Sequence, residues 1–162
     1  MLVVSNTSPL TNLAAIDRFG LLESLFGEVH IAEGVWRELN AGNRPHPGSK
    51  EVASSSWVHR HSVENRPLVA TLRRDLDPGE AETLALALAL NADLVLLDEK
   101  EARRAAVRVG LRRLGVLGIL LEAKRRRLLD EVRPSLDALR QIAGFYVSDA
   151  LYREVLKTAG EN

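Results

Sequence analysis

The sequence predicts an α/β fold, a three-layer α/β/α sandwich around a central, mostly parallel sheet. Three observations lead there. Short runs of β-formers alternate along the chain with helix-patterned segments. The connections between those runs hold helices, which parallel strands need for their crossovers. One run, LVLL at 94–97, is apolar without interruption, as in a strand covered on both faces. At 162 residues the chain is long enough to bury a core of its own. One domain over 1–162 is expected, with a helical C-terminal extension from about residue 130.

The elements follow in order. Residues 2–5 form a strand that stops at Ser5-Asn6-Thr7-Ser8-Pro9. Ser8 then Pro9 reads as an N-cap and first helical residue, opening a helix over 9–16. A second short helix, 19–26, ends at Gly27. A strand at 29–31 leads into a helix over 33–41 with Val35, Trp36 and Leu39 on its apolar side. The Gly- and Pro-rich stretch 42–49 is a loop. A short helix at 50–54, a strand at 57–63 and a helix at 68–75 come next. Asp77-Pro78-Gly79-Glu80 opens the clearest helix, which is apolar nearly all round in its second half and ends at Asn91. After the 94–97 strand come a helix over 99–109, a strand at 111–114 and a helix over 116–128. Helices over 131–143 and 148–159 close the chain, the last capped by Ser148.

Composition narrows the class. Apolar residues are 46% and charged residues 27%, which fits a globular chain and not a disordered one. There is no cysteine, so disulfides and thiolate metal sites are excluded, and a reducing cytoplasm suits the chain. No basic segment precedes a long apolar stretch at the N-terminus, so no signal peptide is expected. The longest apolar run, 84–90, is far short of the roughly 20 residues that cross a membrane. The formal net charge of zero hides an asymmetry: residues 99–127 carry +7 and the rest −7. This can mark a polyanion-binding face beside an acidic site, or simply solvated helix faces.

Ligands of open parallel sheets bind at the carboxyl ends of the strands. Asn6 and Asp98 fall there, after the strands at 2–5 and 94–97. Glu38 and Glu80 lie in helices that begin at the same end. These four side chains, far apart in sequence, can converge; Glu82 is a fifth candidate, although two residues from Glu80 on a helix it points about 200° away. Oxygen ligands without histidine or cysteine suit Mg²⁺ or Mn²⁺. Thr7 or Ser8 can orient a water or a ligand carboxylate. Taken singly, each residue has a plainer role: Glu80 as a helix-dipole carboxylate, Glu38 as a solvated charge, Asp98 as part of the next helix cap.

The stretches VVSNTSPLTNLAAI, IAEGVWREL, LDPGEAETLALALALNADLVLLDEKEARRAA and LGVLGILLEAKRRRLL together resemble the PIN-domain superfamily. The closest likeness is to its uncharacterised prokaryotic branch, similar to VapC-type toxin ribonucleases. The acid-to-acid step of 18 residues from Glu80 to Asp98 matches that pattern. The resemblance implies a three-layer α/β/α fold and an Mg²⁺- or Mn²⁺-dependent ribonuclease. It puts Asn6, Glu38, Glu80 (with Glu82 competing) and Asp98 in the metal and catalytic positions. It departs at Asn6, where the family has an aspartate. An amide oxygen still coordinates a cation but brings no charge and no basicity. Such an amide fits a natural variant of weak activity, or a substitution made to silence a toxic enzyme.

The resemblance therefore implies a PIN-type endoribonuclease, the toxin of a toxin–antitoxin pair, weakened by Asn6. The alternative is a catalytically silent module that binds RNA or a partner protein. RNA phosphates would meet Arg103, Arg104, Arg108, Arg112 and Arg113, and the basic run 124–127. The expected partners are RNA, an antitoxin protein and a second copy of the chain, with no membrane, in the cytoplasm.

Overall fold

The computed structural model describes residues 1–162. Its centre is a five-stranded sheet: β1 (Val3–Ser5), β2 (Val29–Ala32), β3 (Val58–His61), β4 (Leu94–Leu96) and β5 (Arg113–Leu114). The strands run in the order β3-β2-β1-β4-β5, and every pairing is parallel. The sheet is thus parallel throughout, not only mostly. The chain builds outward from β1 to β3, then returns to the other side of β1 with β4. The topological switch point therefore falls between β1 and β4, where Val3, Val4 and Ser5 lie beside Leu94, Val95 and Leu96.

Ten helices cover the two faces. They are α1 (Thr7–Ala15), α2 (Leu21–Phe26), α3 (Glu33–Leu39), α4 (Ser49–Ser54), α5 (Arg66–Leu72), α6 (Pro78–Ala89), α7 (Lys100–Arg108), α8 (Val116–Arg125), α9 (Arg133–Gln141) and α10 (Asp149–Thr158). Side chains alternate along each strand, so neighbouring residues serve opposite layers. Val3, Val29, Ile31 and Leu96 join one core with Leu13, Leu22, Ile119 and Leu139. Val4, Ala32 and Val95 join a second core with Val69, Leu84 and Ala105. Those two cores, one on each side of the sheet, make the three layers. Val155 and Leu156 of α10 belong to the first core, so the last helix packs on the body of the protein. No helix is long and apolar enough to cross a membrane.

Local chemistry explains most boundaries. Asp77 accepts from the Glu80 N–H while Glu80 accepts from the Asp77 N–H, a complete capping box at the start of α6. The helix ends before Asn91, which takes the left-handed conformation at φ 53°. Ser148 caps α10 as expected. Several starts shift by one or two residues from the sequence reading, and two of them bear on a cap. Asn65 caps α5, with Pro67 in its first turn, so that helix begins before residue 68. Helix α1 begins at Thr7, with Asn6 in the N-cap position. Ser8 is therefore already helical, and its hydroxyl is used elsewhere.

Candidate active site

Helix α1 begins where β1 ends, so Asn6, Thr7 and Ser8 emerge at the carboxyl edge of the sheet. Asn6 is held from below by its N–H, which donates to the Leu96 carbonyl of β4 at 3.0 Å. Asparagine at an N-cap usually spends its side chain on the helix. Here Asn6 makes no such bond. Its Oδ1 has only a long contact, 3.4 Å, to the Thr83 hydroxyl. That hydroxyl has a single proton, and the Gly79 carbonyl at 2.7 Å is the better acceptor. The Asn6 amide oxygen is thus buried at 4% exposure with an unspent lone pair.

Glu38 comes from α3. Its Oε2 accepts from the Thr7 hydroxyl at 2.5 Å, and its Oε1 accepts from the Gly79 N–H at 3.0 Å. This approach depends on Gly79 having no side chain, since a Cβ there would overlap the Glu38 carboxylate. Glu80 follows, its Oε1 fixed by the Asp77 N–H. Burial pushes the Glu80 carboxyl above its usual range, against the pull of that N–H; the charges of Asp77, Glu99 and Glu38 push it further up.

Asp98 follows β4. Its Oδ1 accepts from the Val116 N–H at the start of α8, at 2.8 Å, and its Oδ2 accepts from the Ser8 hydroxyl at 3.0 Å. Gly115 permits this, because a Cβ there would lie 2.9 Å from Oδ1. Burial raises the Asp98 carboxyl too; the bonds from Val116 and Ser8 and the Arg103 charge oppose that, and Glu99 adds to it. The expectation that Thr7 or Ser8 orients a carboxylate thus describes both hydroxyls.

These residues surround an open hollow of about 560 Å³ with no apolar side chain in its wall. Asn6, Thr7, Ser8, Glu38 and Glu80 line it, and so do Asp75, Asp77, Glu99 and Glu101, acids the sequence reading did not single out. Asp98 itself does not line it; Ser8 stands between. Glu82 is also absent from the wall. It is 2% exposed, accepts from the Gly34 N–H at 3.0 Å, and pairs with Arg37 at 2.9 Å and Arg66 at 3.5 Å. The roughly 200° rotation between Glu80 and Glu82 sends them to different neighbours.

Lys100 lines the hollow and also a neighbouring groove of about 530 Å³ formed with Arg103, Arg104, Arg108 and Arg113. Arg112 does not line that groove. The basic run 124–127 is largely committed within the chain. Lys124 binds Glu161 and the Ala159 carbonyl, Arg125 binds Glu122, and Arg126 binds Glu122 and the Leu25 carbonyl.

No three acidic or histidine side chains are arranged to hold a single metal ion between them. The donors present still fit a hard cation. Mg²⁺ is commonly held by one or two carboxylates, with water and substrate phosphate completing its shell. Glu38, Glu80 and Asn6 line the hollow together and carry oxygen donors of that kind. The crowding of negative charge around Glu80 is what a cation would relieve.

An acidic hollow thus lies at the switch point of a parallel sheet, beside a basic groove. Residues 2–161 match the family model described as a PIN domain, and the chain belongs to that family. PIN domains are generally nucleases that act on nucleic acid and typically use divalent metals. No curated protein matches the chain at a significant level.

Proposed function

We propose that this protein is a metal-dependent endoribonuclease, similar to the VapC-type toxins, and the toxin of a toxin–antitoxin pair. The observation that carries the reading is a continuity: Asn6, Glu38 and Glu80 share one hollow, and Lys100 joins it to the arginine groove.

Glu38, Glu80 and the Asn6 oxygen would hold Mg²⁺ or Mn²⁺, which when bound supplies a nucleophilic hydroxide and offsets charge on the phosphate. The remaining roles fall to the chain. Thr7 and the Gly79 N–H aim Glu38, and the Asp77 N–H aims Glu80. Asp98 takes part through Ser8, which it fixes in the wall. Glu82 is left out of the ligand set, since Gly34 and Arg37 already engage its two oxygens. Arg103, Arg104, Arg108 and Arg113, with Arg112 nearby in sequence, hold RNA phosphates without reading bases. The same reading takes residues 1–162 as one PIN-like domain, with α9 and α10 as its extension, acting in the cytoplasm as a homodimer that an antitoxin restrains.

A second reading is favoured by Asn6 alone: a silent module that retains RNA or a partner protein without cutting. Incubation with RNA and Mn²⁺, beside Asn6→Asp and Glu80→Gln variants, decides between them. Cleavage by the unsubstituted chain and by Asn6→Asp, lost in Glu80→Gln, supports the enzyme. Cleavage by Asn6→Asp only supports the silent module. RNA held but cut by neither sinks the nuclease reading.

A further inference from the structure

Three of the four histidines lie on adjacent strands of one sheet edge, outside the acidic hollow. His30 of β2 is the register partner of His59 of β3, and His61 follows two residues along β3. Residues so related project from one face of a sheet. The rings meet: His30 and His61 have centroids 5.0 Å apart, and His30 and His59 5.2 Å. His30 Nδ1 faces His61 Nε2 at 2.8 Å.

We propose that His30 and His61 form a binding site for a borderline transition-metal ion such as Zn²⁺, Ni²⁺ or Co²⁺, independent of the nuclease reading. Imidazole nitrogen is the donor these ions prefer over the carboxylates that suit Mg²⁺. Two such nitrogens already face one another, and His61 lines a cavity of about 280 Å³. The three rings do not converge on a common point, so two imidazoles and water make the shell. His59 stands beside them. Its Nε2 is buried without a hydrogen bond, because the Glu28 carboxylate at 3.3 Å is poorly aligned and attracts only a protonated ring.

The surroundings of both donors favour the neutral form that ligates. Burial lowers His30 and His61 below the usual imidazole value, and the charges of neighbouring histidines lower them further; Glu28 opposes this at His30. Without an ion, one neutral ring donates its N–H to the other. On binding, that proton moves to the other nitrogen of its own ring, which frees both facing lone pairs and releases no proton to solvent.

Calorimetric titration of the full chain with Ni²⁺ tests the site. The Glu38→Gln/Glu80→Gln double variant removes the acidic hollow as a competing site. In that background one equivalent should bind, and the histidine substitutions are read there. Binding should be lost in His30→Gln and in His61→Gln, and His59→Asn should keep it within a few-fold. Circular dichroism establishes that each variant is folded. Should the histidine variants unfold, substoichiometric Co²⁺ added to the acidic double variant should broaden the His30 and His61 ring resonances first. An isotherm that survives both histidine substitutions, one that vanishes in the acidic double variant, or broadening confined to other residues overturns the proposal.

Discussion

Glu38 and Glu82 cap each other's helices. Glu38 leaves α3 to accept from the Gly79 N–H in the first turn of α6, and Glu82 leaves α6 to accept from the Gly34 N–H in the first turn of α3. The two helices start at the same edge of the sheet, and each presents its positive end to a carboxylate from the other. Beyond this exchange the two differ. Glu38 faces the hollow beside Thr7, while Glu82 is sealed against Arg37. One carboxylate can serve chemistry, and the other fixes the helix that carries it.

Glu82→Ala should therefore cost stability. It strands the Gly34 N–H and removes the partner of Arg37, a loss of about 2–3 kcal/mol for hydrogen bonds to a buried charged group. Urea unfolding measures it. Affinity for Mn²⁺ at a temperature where the variant stays folded should be unchanged. A selective loss of Mn²⁺ binding with normal stability would make Glu82 a ligand after all.

Gly79→Ala should do the reverse. Alanine improves helix propensity by up to about 1 kcal/mol. Its Cβ would occupy the place of the Glu38 carboxylate and push it off the Gly79 N–H. The expected outcome is a Tm within a few degrees of the unsubstituted chain and Mn²⁺ binding weakened roughly ten-fold, about 1.4 kcal/mol. Electron paramagnetic resonance of free Mn²⁺ reads the affinity directly.

The pair of glycines shows which part of the site sequence patterns could carry. Alternating β-formers and helix faces place the elements in order, and the strand-end rule puts Asn6 and Asp98 at one edge with Glu38 and Glu80 on helices that begin there; of the four, Asp98 does not line the hollow. The apolar run at 94–97 gave a strand covered on both faces, as found. Gly79 and Gly115 were not legible as carboxylate cradles, because close approach of another element is a tertiary fact. Their local signal was only a poor helix former directly after Pro78 and a glycine before α8. Ser8-Pro9 misled for a related reason: a serine before proline is a good cap locally, but the Asp98 carboxylate claimed its hydroxyl. The run at 124–127 looked like a phosphate-binding patch, since nothing nearby in sequence revealed that Glu161 would return to Lys124.

Cation-dependent stability should vary with pH. Burial raises Glu80 and Asp98 above their ordinary values of 4.5 and 3.8, so the folded chain holds those protons more tightly than the unfolded one. In metal-free protein their contribution to stability is greatest below those ordinary values and falls as pH rises through the raised folded ones. His30 and His61 act oppositely: their contribution is present above 6.5 and is lost as pH falls through the lowered folded values. Comparing melts with and without Mg²⁺ cancels the histidine effect. A cation needs Glu80 ionised, so the rise in Tm caused by Mg²⁺ should be larger at about pH 7.5 than at about pH 5. An equal rise at both would remove Glu80 from the cation site.

Neutralising the groove should weaken RNA uniformly. Arg103→Gln and Arg108→Gln each remove one charge that can meet a phosphate in the groove that Lys100 joins to the hollow; Arg104 is left out because it pairs with Glu101 at 3.3 Å. For single strands the slope of log affinity against log salt should shrink by about 0.7 for each phosphate no longer neutralised, whatever the RNA sequence. Fluorescence anisotropy over a salt series measures this. Arg125→Gln serves as the contrast, because its guanidinium is paired with Glu122; it should leave the slope as it was.

Asn6→Asp should trade stability for cation affinity. The new carboxylate would sit at a position only 4% exposed, in a wall it shares with Glu38 and Glu80. Without a cation, desolvation and like-charge repulsion should lower stability by about 1–3 kcal/mol. With Mn²⁺ in excess, the third carboxylate should strengthen binding and return the loss by mass action. The test is a pair of melting curves for each protein, with and without Mn²⁺. The variant should melt lower than the Asn6 chain when metal-free and gain more from the ion. If Mn²⁺ moves both proteins equally, the Asn6 oxygen does not face the cation, and the hollow must hold its ion without β1.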